Sequence, residues 1–353
     1  MSRDNSETLL AMQHRLSAAG DKDGRKEDPQ IFTRTVLKQF MQLHPLVRGV
    51  HEDEEEEQTF AEFQDMGRRP PNTQGTGRFV LTPERRTIAV LNLCKRSSLP
   101  EERLRRLHAY LRCFLRLEVG QSAASGALSL QTSQRKTDIV DRKQRISFPL
   151  RVLRKGRIDC FSLFDVMVEY VSDSDFALLA LVDVPLGERE DKDVVEVLGR
   201  ACGDRVAVVQ CYPGVSDVEL FGTAAHELLH TMGFDHTTFC RCLMQPSAGS
   251  SLFLAPHNLK KLKHFHHADD DDNWCLARFR DLQSQWWSFF DKSSAEARAQ
   301  LHWLETKIKV LEALVPGDCP AVSSSGPSSS KKSSSRAQSR KRPRSSPGAR
   351  AST

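Results

Sequence analysis

The chain has 353 residues, 39% of them hydrophobic, which is enough for one large domain or two modest ones around a substantial core. Its net charge of +5 is unevenly placed: residues 316–353 carry eight Lys and Arg against one Asp, which leaves the rest of the chain near neutral at −2 and gives its folded part no electrostatic call for nucleic acid. No stretch approaches about eighteen uninterrupted apolar residues and the N-terminal segment lacks a basic region leading into an apolar run, so neither a membrane span nor a signal peptide is expected.

Residues 1–30 are polar and broken by charge, and they are expected to be flexible. The acidic run from His51 to Gln58 reads as a solvated loop or helix face, and Arg68 to Gly77 as a breaker segment rich in Pro and Gly. Arg86 to Cys94 (RTIAVLNLC) predicts a strand. The following segment, PEERLRRLHAYLRCFLRLEVG, opens on proline and acids, closes on Gly120, and repeats Leu104, Leu107, Leu111 and Leu115 at helical spacing. It predicts an amphipathic helix whose arginines form the wet face. ISFPLRVL predicts a further strand, DCFSLFDVMVEYVS a helix, and FALLALVDVPL and DRVAVVQCYP two short β runs closed by proline. This alternation predicts an α/β layered domain. An irregular stretch follows the last motif-bearing helix, then a long helical region from about Asn273 to Leu314, with Trp286, Trp287 and Trp303 expected in the core. The Ser/Lys/Arg-rich tail, 316–353, cannot bury apolar surface and is expected to be disordered. Within it, residues 339–344 (SRKRPR) fit a nuclear-import signal or a merely solubilising tail. The nine cysteines, an odd number with no secretory signal, are read as reduced thiols. Cytoplasm, nucleus or both are the expected locations.

The chemistry concentrates in AAHELLHTMGFDH, Ala224 to His236. Residues four apart on a helix are separated by about 400°, so His226 and His230 project from one face a turn apart. Two imidazoles so placed can grip one zinc ion. Gly233 tolerates φ > 0, so it can end the helix and swing His236 to the far side of the metal. Three neutral histidines leave a fourth position open for water, which is the arrangement of a catalytic zinc. Glu227 lies about 100° around the helix from His226 and can take a proton from the zinc-bound water, whose hydroxide then attacks a polarised carbonyl. The protonated Glu227 can pass that proton to a leaving amine, and the reaction class is peptide-bond hydrolysis. Asp204 to Pro213, just before this helix, is either an edge strand above the cleft, able to bind an extended peptide, or an internal strand.

The pattern His226-Glu227-x-x-His230-x-x-Gly233-x-x-His236 resembles the metzincin metalloproteases. Cys242-Leu243-Met244 follows the third histidine closely, a spacing similar to that of the archaemetzincins, also called archaelysins. The likeness spans about Leu81 to Leu314. It implies a zincin-like mixed sheet with a zinc-binding active-site helix and a helical C-terminal part, so that residues 31–315 form a metzincin-like catalytic domain. It also implies His226, His230 and His236 as zinc ligands, Glu227 as general base, and Met244 as the Met-turn residue beneath the metal. The family's second, four-cysteine zinc site is not matched: Thr237 stands at the first cysteine position, Cys242 is present, and Ala255-Pro256-His257-Asn258 stands at the later pair. Cys240 and His257 are the candidates to complete a second site with Cys242. The alternative is a loop held by packing, with Phe253 and Leu254 as the packing residues.

Two functions are therefore expected from the sequence, beside a third reading, nucleic-acid binding through residues 331–350. One is a zinc-dependent metallopeptidase acting on a peptide or protein substrate. The other is a zinc-bound, non-catalytic adaptor that recruits partners through its cleft or its basic tail.

Overall fold

The structure, a computed structural model, describes residues 58–68, 80–133, 136–190, 193–203, 205–238, 240–246 and 251–314. The expectations for residues 1–30, for the acidic run up to residue 57 and for the tail lie outside the described residues.

The fold is mixed α/β. A five-stranded sheet runs β10-β11-β7-β1-β2, where β1 is Thr87–Asn92, β2 Glu118–Gln121, β7 Asp175–Val182, β10 Gly199–Cys202 and β11 Val206–Gln210. The pairs β1/β2, β1/β7 and β7/β11 are parallel, while β10 joins β11 antiparallel. The parallel pairs follow from the strand–helix–strand order of the sequence, since a parallel partner needs a crossover element. DFALLALV at the centre is buried along nearly its whole length, as a strand covered on both faces should be. Period-2 alternation then sorts its side chains into two cores. Leu179 and Leu181 join Ile88, Val90, Ala207 and Val209 on one face, and Leu178 and Ala180 join Ala89, Leu91, Val206 and Val208 on the other. The second face is covered by α3 (Cys160–Met167), capped at its start by the Asp159 side chain, and by the β3-β4-β5 meander of Leu128–Thr132, Thr137–Asp141 and Ile146–Leu150. A small sheet orders β6 (Ile158–Asp159), β8 (Leu186–Glu190) and β9 (Asp193–Val197).

The first face carries the helices that position the site. Besides α1 (Phe60–Arg68), they are α2 (Glu101–Leu115), α4 (Asp217–Thr231), α5 (Pro256–Phe265), α6 (Trp274–Phe289) and α7 (Ala295–Glu312). Helix α2 buries Leu104, Leu107, Leu111 and Leu115 as its spacing predicts. It ends earlier than expected. Arg116 takes the left-handed conformation at φ 54°, and Gly120 sits inside β2. Its arginines are not all a wet face either. Arg103 and Arg106 each reach Asp217, in the first turn of α4, at 2.7 Å, and so tie α2 to the start of the histidine-bearing helix.

Three further expectations are corrected. The stretch after the motif helix contains α5, started by Pro256 at its first turn. The long C-terminal region is two helices, broken at Phe290 to Ser294. Of the tryptophans, Trp286 and Trp303 are buried and stack with Phe253, whose ring lies 4.0 Å from that of Trp303, whereas Trp287 is 37% exposed. Its neighbour on α6 faces the core and Trp287, about 100° further round, faces out. No described helix is long and apolar enough to cross a membrane.

Candidate metal centre

Helix α4 begins at Ser216, whose Oγ accepts the Glu219 backbone N–H at 3.0 Å. Ala224, Ala225, Leu228 and Leu229 form its apolar back and are fully buried. His226, Glu227 and His230 occupy its last turns. Gly233 then adopts φ 87°, which L side chains rarely take, and the chain reverses so that His236 returns toward the helix. The ligating atoms of His226, His230 and His236 all lie within 4.8 Å of one another.

The tautomers follow from the hydrogen bonds. A carbonyl can only accept, so Nδ1 of His226 donates to Leu243 O at 2.7 Å, and Nδ1 of His230 donates to Phe234 O at 2.7 Å. In the neutral rings, Nε2 is therefore a bare lone pair. Those of His226 and His230 are 3.0 Å apart, and Nε2 of His230 is 3.2 Å from that of His236. Burial holds the first two rings neutral, pushing His226 down to about 4 and His230 well below its ordinary range. Two acceptors at this distance repel unless a cation lies between them. Nitrogen ligands about 2.0–2.1 Å from one ion at a tetrahedral angle sit about 3.3 Å apart, close to the spacing seen. The donor set thus fits a divalent ion, and the backbone carbonyls do the orienting work that outer partners do in metal sites.

Glu227 is 5% exposed beside this cluster. Burial pushes its carboxyl up to about 8, opposed by the positive charge of Arg200 and reinforced by Glu188. Arg200, on β10, is itself paired with Glu188 at 3.1 Å. The triad and Glu227 open into a cleft of about 630 Å³ walled by the β8–β9 hairpin, by β10 and by the Gly233–His236 turn.

Met244 is fully buried in the turn after the third histidine. That turn is tied to the histidine segment by its backbone: Thr237 N donates to Met244 O at 2.6 Å, and Leu243 O holds His226. The second-site candidates are not gathered around an ion site. Among the described residues, Cys240, Cys242 and His257 do not form a ligating group of three. Instead the Cys242 sulfur accepts N–H groups from Ala255 at 3.1 Å, Met244 at 3.4 Å and Asn258 at 3.6 Å. Asn258 also donates to Thr237 Oγ1 at 2.7 Å, which lies 3.1 Å from His257 Nε2. Neutral hydrogen bonds among Thr237, Cys242, His257 and Asn258 therefore bind this loop to α5, and Phe253 and Leu254 are buried beside it as packing residues.

The strand before α4 is internal, not an edge. β11 lies between β7 and β10, and β10 is the edge above the cleft. Sequence reasoning missed β10 because GRAC carries no apolar run. It also missed the orienting carbonyls of Leu243 and Phe234, which no side-chain pattern reveals, and Gln58. The Gln58 side chain donates to Gly233 O at 2.8 Å from 175 residues away.

No protein-family model matches the chain, and no curated protein matches it. Among solved structures it is similar to an archaemetzincin from Methanopyrus kandleri, with a TM-score of 0.36 and 14% identity over 54% of this chain and 98% of that one. A likeness this distant adds no weight, and the site stands on its own geometry.

Proposed function

We propose that the chain is a zinc-dependent peptidase of the archaemetzincin kind. His226, His230 and His236 would hold the ion and Glu227 would serve as general base. The observation that carries this is the set of three Nε2 atoms at contacts of 3.0 and 3.2 Å, two of them fixed as acceptors by backbone carbonyls, beside a buried carboxyl. When bound, zinc supplies Lewis acidity toward water and toward a carbonyl oxygen.

The chain's own groups do the rest. The cleft admits a peptide segment between the β8–β9 hairpin and the Gly233–His236 turn. Hydrolysis places a water oxygen on the carbonyl carbon and breaks the C–N bond. The carboxylate of Glu227 accepts the proton that water gives up and returns it to the departing nitrogen, so no net proton is consumed at the residue. Burial, which raises the carboxyl, favours return of the proton to the leaving nitrogen, and the positive charge of Arg200 favours the carboxylate that accepts it.

The test is Glu227→Gln, which keeps shape and burial but cannot cycle a proton. Cleavage of a broad peptide library should fall by about 10²–10⁴-fold while zinc content is unchanged. Undiminished cleavage in the variant would refute the role of Glu227. A wild-type protein that holds zinc but cleaves nothing would favour the non-catalytic adaptor.

A further inference from the structure

We propose that Gly199 is a positioning residue for Glu227: the missing side chain on the edge strand leaves the space in which the Glu227 carboxylate is held. This rests on Glu227 being the working carboxylate of the cleft. Gly199 opens β10 and lies opposite Val209 of β11. A glycine in an extended strand gives up side-chain packing, so it calls for a reason. Conformation is not the reason. The glycines with positive φ among the described residues are Gly126, Gly156, Gly203, Gly214 and Gly233, and Gly199 is not one of them.

Space is the reason. A Cβ on Gly199 would stand 2.7 Å from Glu227 Cγ, 2.8 Å from its Oε1 and 3.0 Å from Thr223 Cγ2. Ordinary carbon contacts begin near 3.5 Å. Thr223 and Glu227 are four apart and share one ridge of α4, so the strand backbone lies directly along that ridge. Among the described residues no hydrogen bond fixes the Glu227 carboxylate, although it is 5% exposed and lines the cleft. Its location is therefore set by walls and by the nearby charges of Arg200 and Glu188, not by a hydrogen bond. The backbone at Gly199 is one wall and Thr223 is another. The atoms nearest a Cβ on Gly199 belong to Glu227 and Thr223, and the imidazoles of His226 and His230 are oriented by other groups, the carbonyls of Leu243 and Phe234, so the carboxylate can be disturbed separately from metal binding.

The experiment is Gly199→Ala, read in two ways. Displacing the carboxylate by about 1 Å should lower kcat by roughly 100-fold, with KM and zinc stoichiometry unchanged. Independently of any turnover, Gly199→Ala should lower the melting temperature by roughly 3–10 °C in the wild-type background, as overpacking does. The same change in a Glu227→Ala background, where two of the three close atoms are gone, should cost little, and this double variant is expected to fold even if the single one does not. An unchanged kcat in Gly199→Ala, or an equal melting-temperature loss in both backgrounds, would overturn the proposal. If the wild type hydrolyses no peptide, the peptidase assignment falls, while the melting-temperature cycle still decides whether Gly199 confines Glu227.

Discussion

Gln58 joins the start of α1 to the turn that delivers the third histidine, and its removal should be felt at the candidate metal site. Its side chain is 6% exposed. Nε2 donates to Gly233 O at 2.8 Å and lies 3.0 Å from Met66 Sδ, while Oε1 accepts from the buried Lys261 ammonium at 2.8 Å. Gln58→Ala deletes a neutral bond worth about 1 kcal/mol and a charged one worth about 1.5–3 kcal/mol. The summed loss of about 2–4 kcal/mol should lower the melting temperature by about 5–15 °C. Freeing the Gly233 carbonyl also loosens the reversal that carries His236, so zinc affinity should fall by about 10-fold, as it does when an outer partner of a ligand is lost. Gln58→Glu separates the two effects. A glutamate still accepts from Lys261 but cannot donate to Gly233 O. It should keep more stability than Gln58→Ala and lose zinc affinity to a similar degree. Thermal melts of the apo-protein and competition with a chromogenic chelator measure both quantities. Zinc affinity at the wild-type level in Gln58→Glu, or a melting shift under about 2 °C in Gln58→Ala, would refute this coupling.

Other outcomes follow from burial. Lys307 is 3% exposed, and burial pushes its ammonium down to about 7 from an ordinary 10.5. The unfolded chain takes up this proton below about 10.5 and the folded chain only below about 7, so the residue's contribution is fully present above the unfolded value and is lost as pH falls through that window. Lys307→Met should therefore stabilise by about 2–4 kcal/mol at neutral pH and by little near pH 11, read by denaturant titration at each pH. A gain that does not depend on pH would contradict it. Phe253→Ala should cost about 3–5 kcal/mol, because that ring is buried and stacks with both Trp286 and Trp303. Trp287→Ala, at an exposed position, should stay within about 0.5 kcal/mol, and comparable losses in the two variants would place the core elsewhere.

Much of the architecture was legible because its signals are local. The continuous apolar run of β7 announces a doubly covered strand, and the leucine spacing of α2 announces its buried stripe. The β8–β9 hairpin was not legible. LGERE is mostly polar and DVVEV sets two valines side by side, and both wall a cleft, so the alternation that marks a strand packed on a core is weak. Helix α5 was hidden for the opposite reason: Lys261 and Lys263 read as solvent-facing, yet both are buried. At the site, His226, Glu227, His230, Gly233 and His236 were legible because a single helix and one turn bring them together. Leu243 O, Gly199 and Gln58 act across long sequence separations, and two of the three contribute backbone or empty space in place of a functional group. No motif carries that information. Cys242 shows the converse, a residue whose type suggests metal and whose surroundings supply neutral hydrogen bonds.

The central claim is that three imidazoles share one ion. X-ray absorption at the zinc edge on the purified full chain, with metal content measured by mass spectrometry, tests it most directly. One zinc per chain with three nitrogen ligands at about 2.0–2.1 Å, lost on His236→Ala, is the predicted result. A chain that takes up no zinc, or zinc in a sulfur-rich shell that survives His236→Ala, would contradict it.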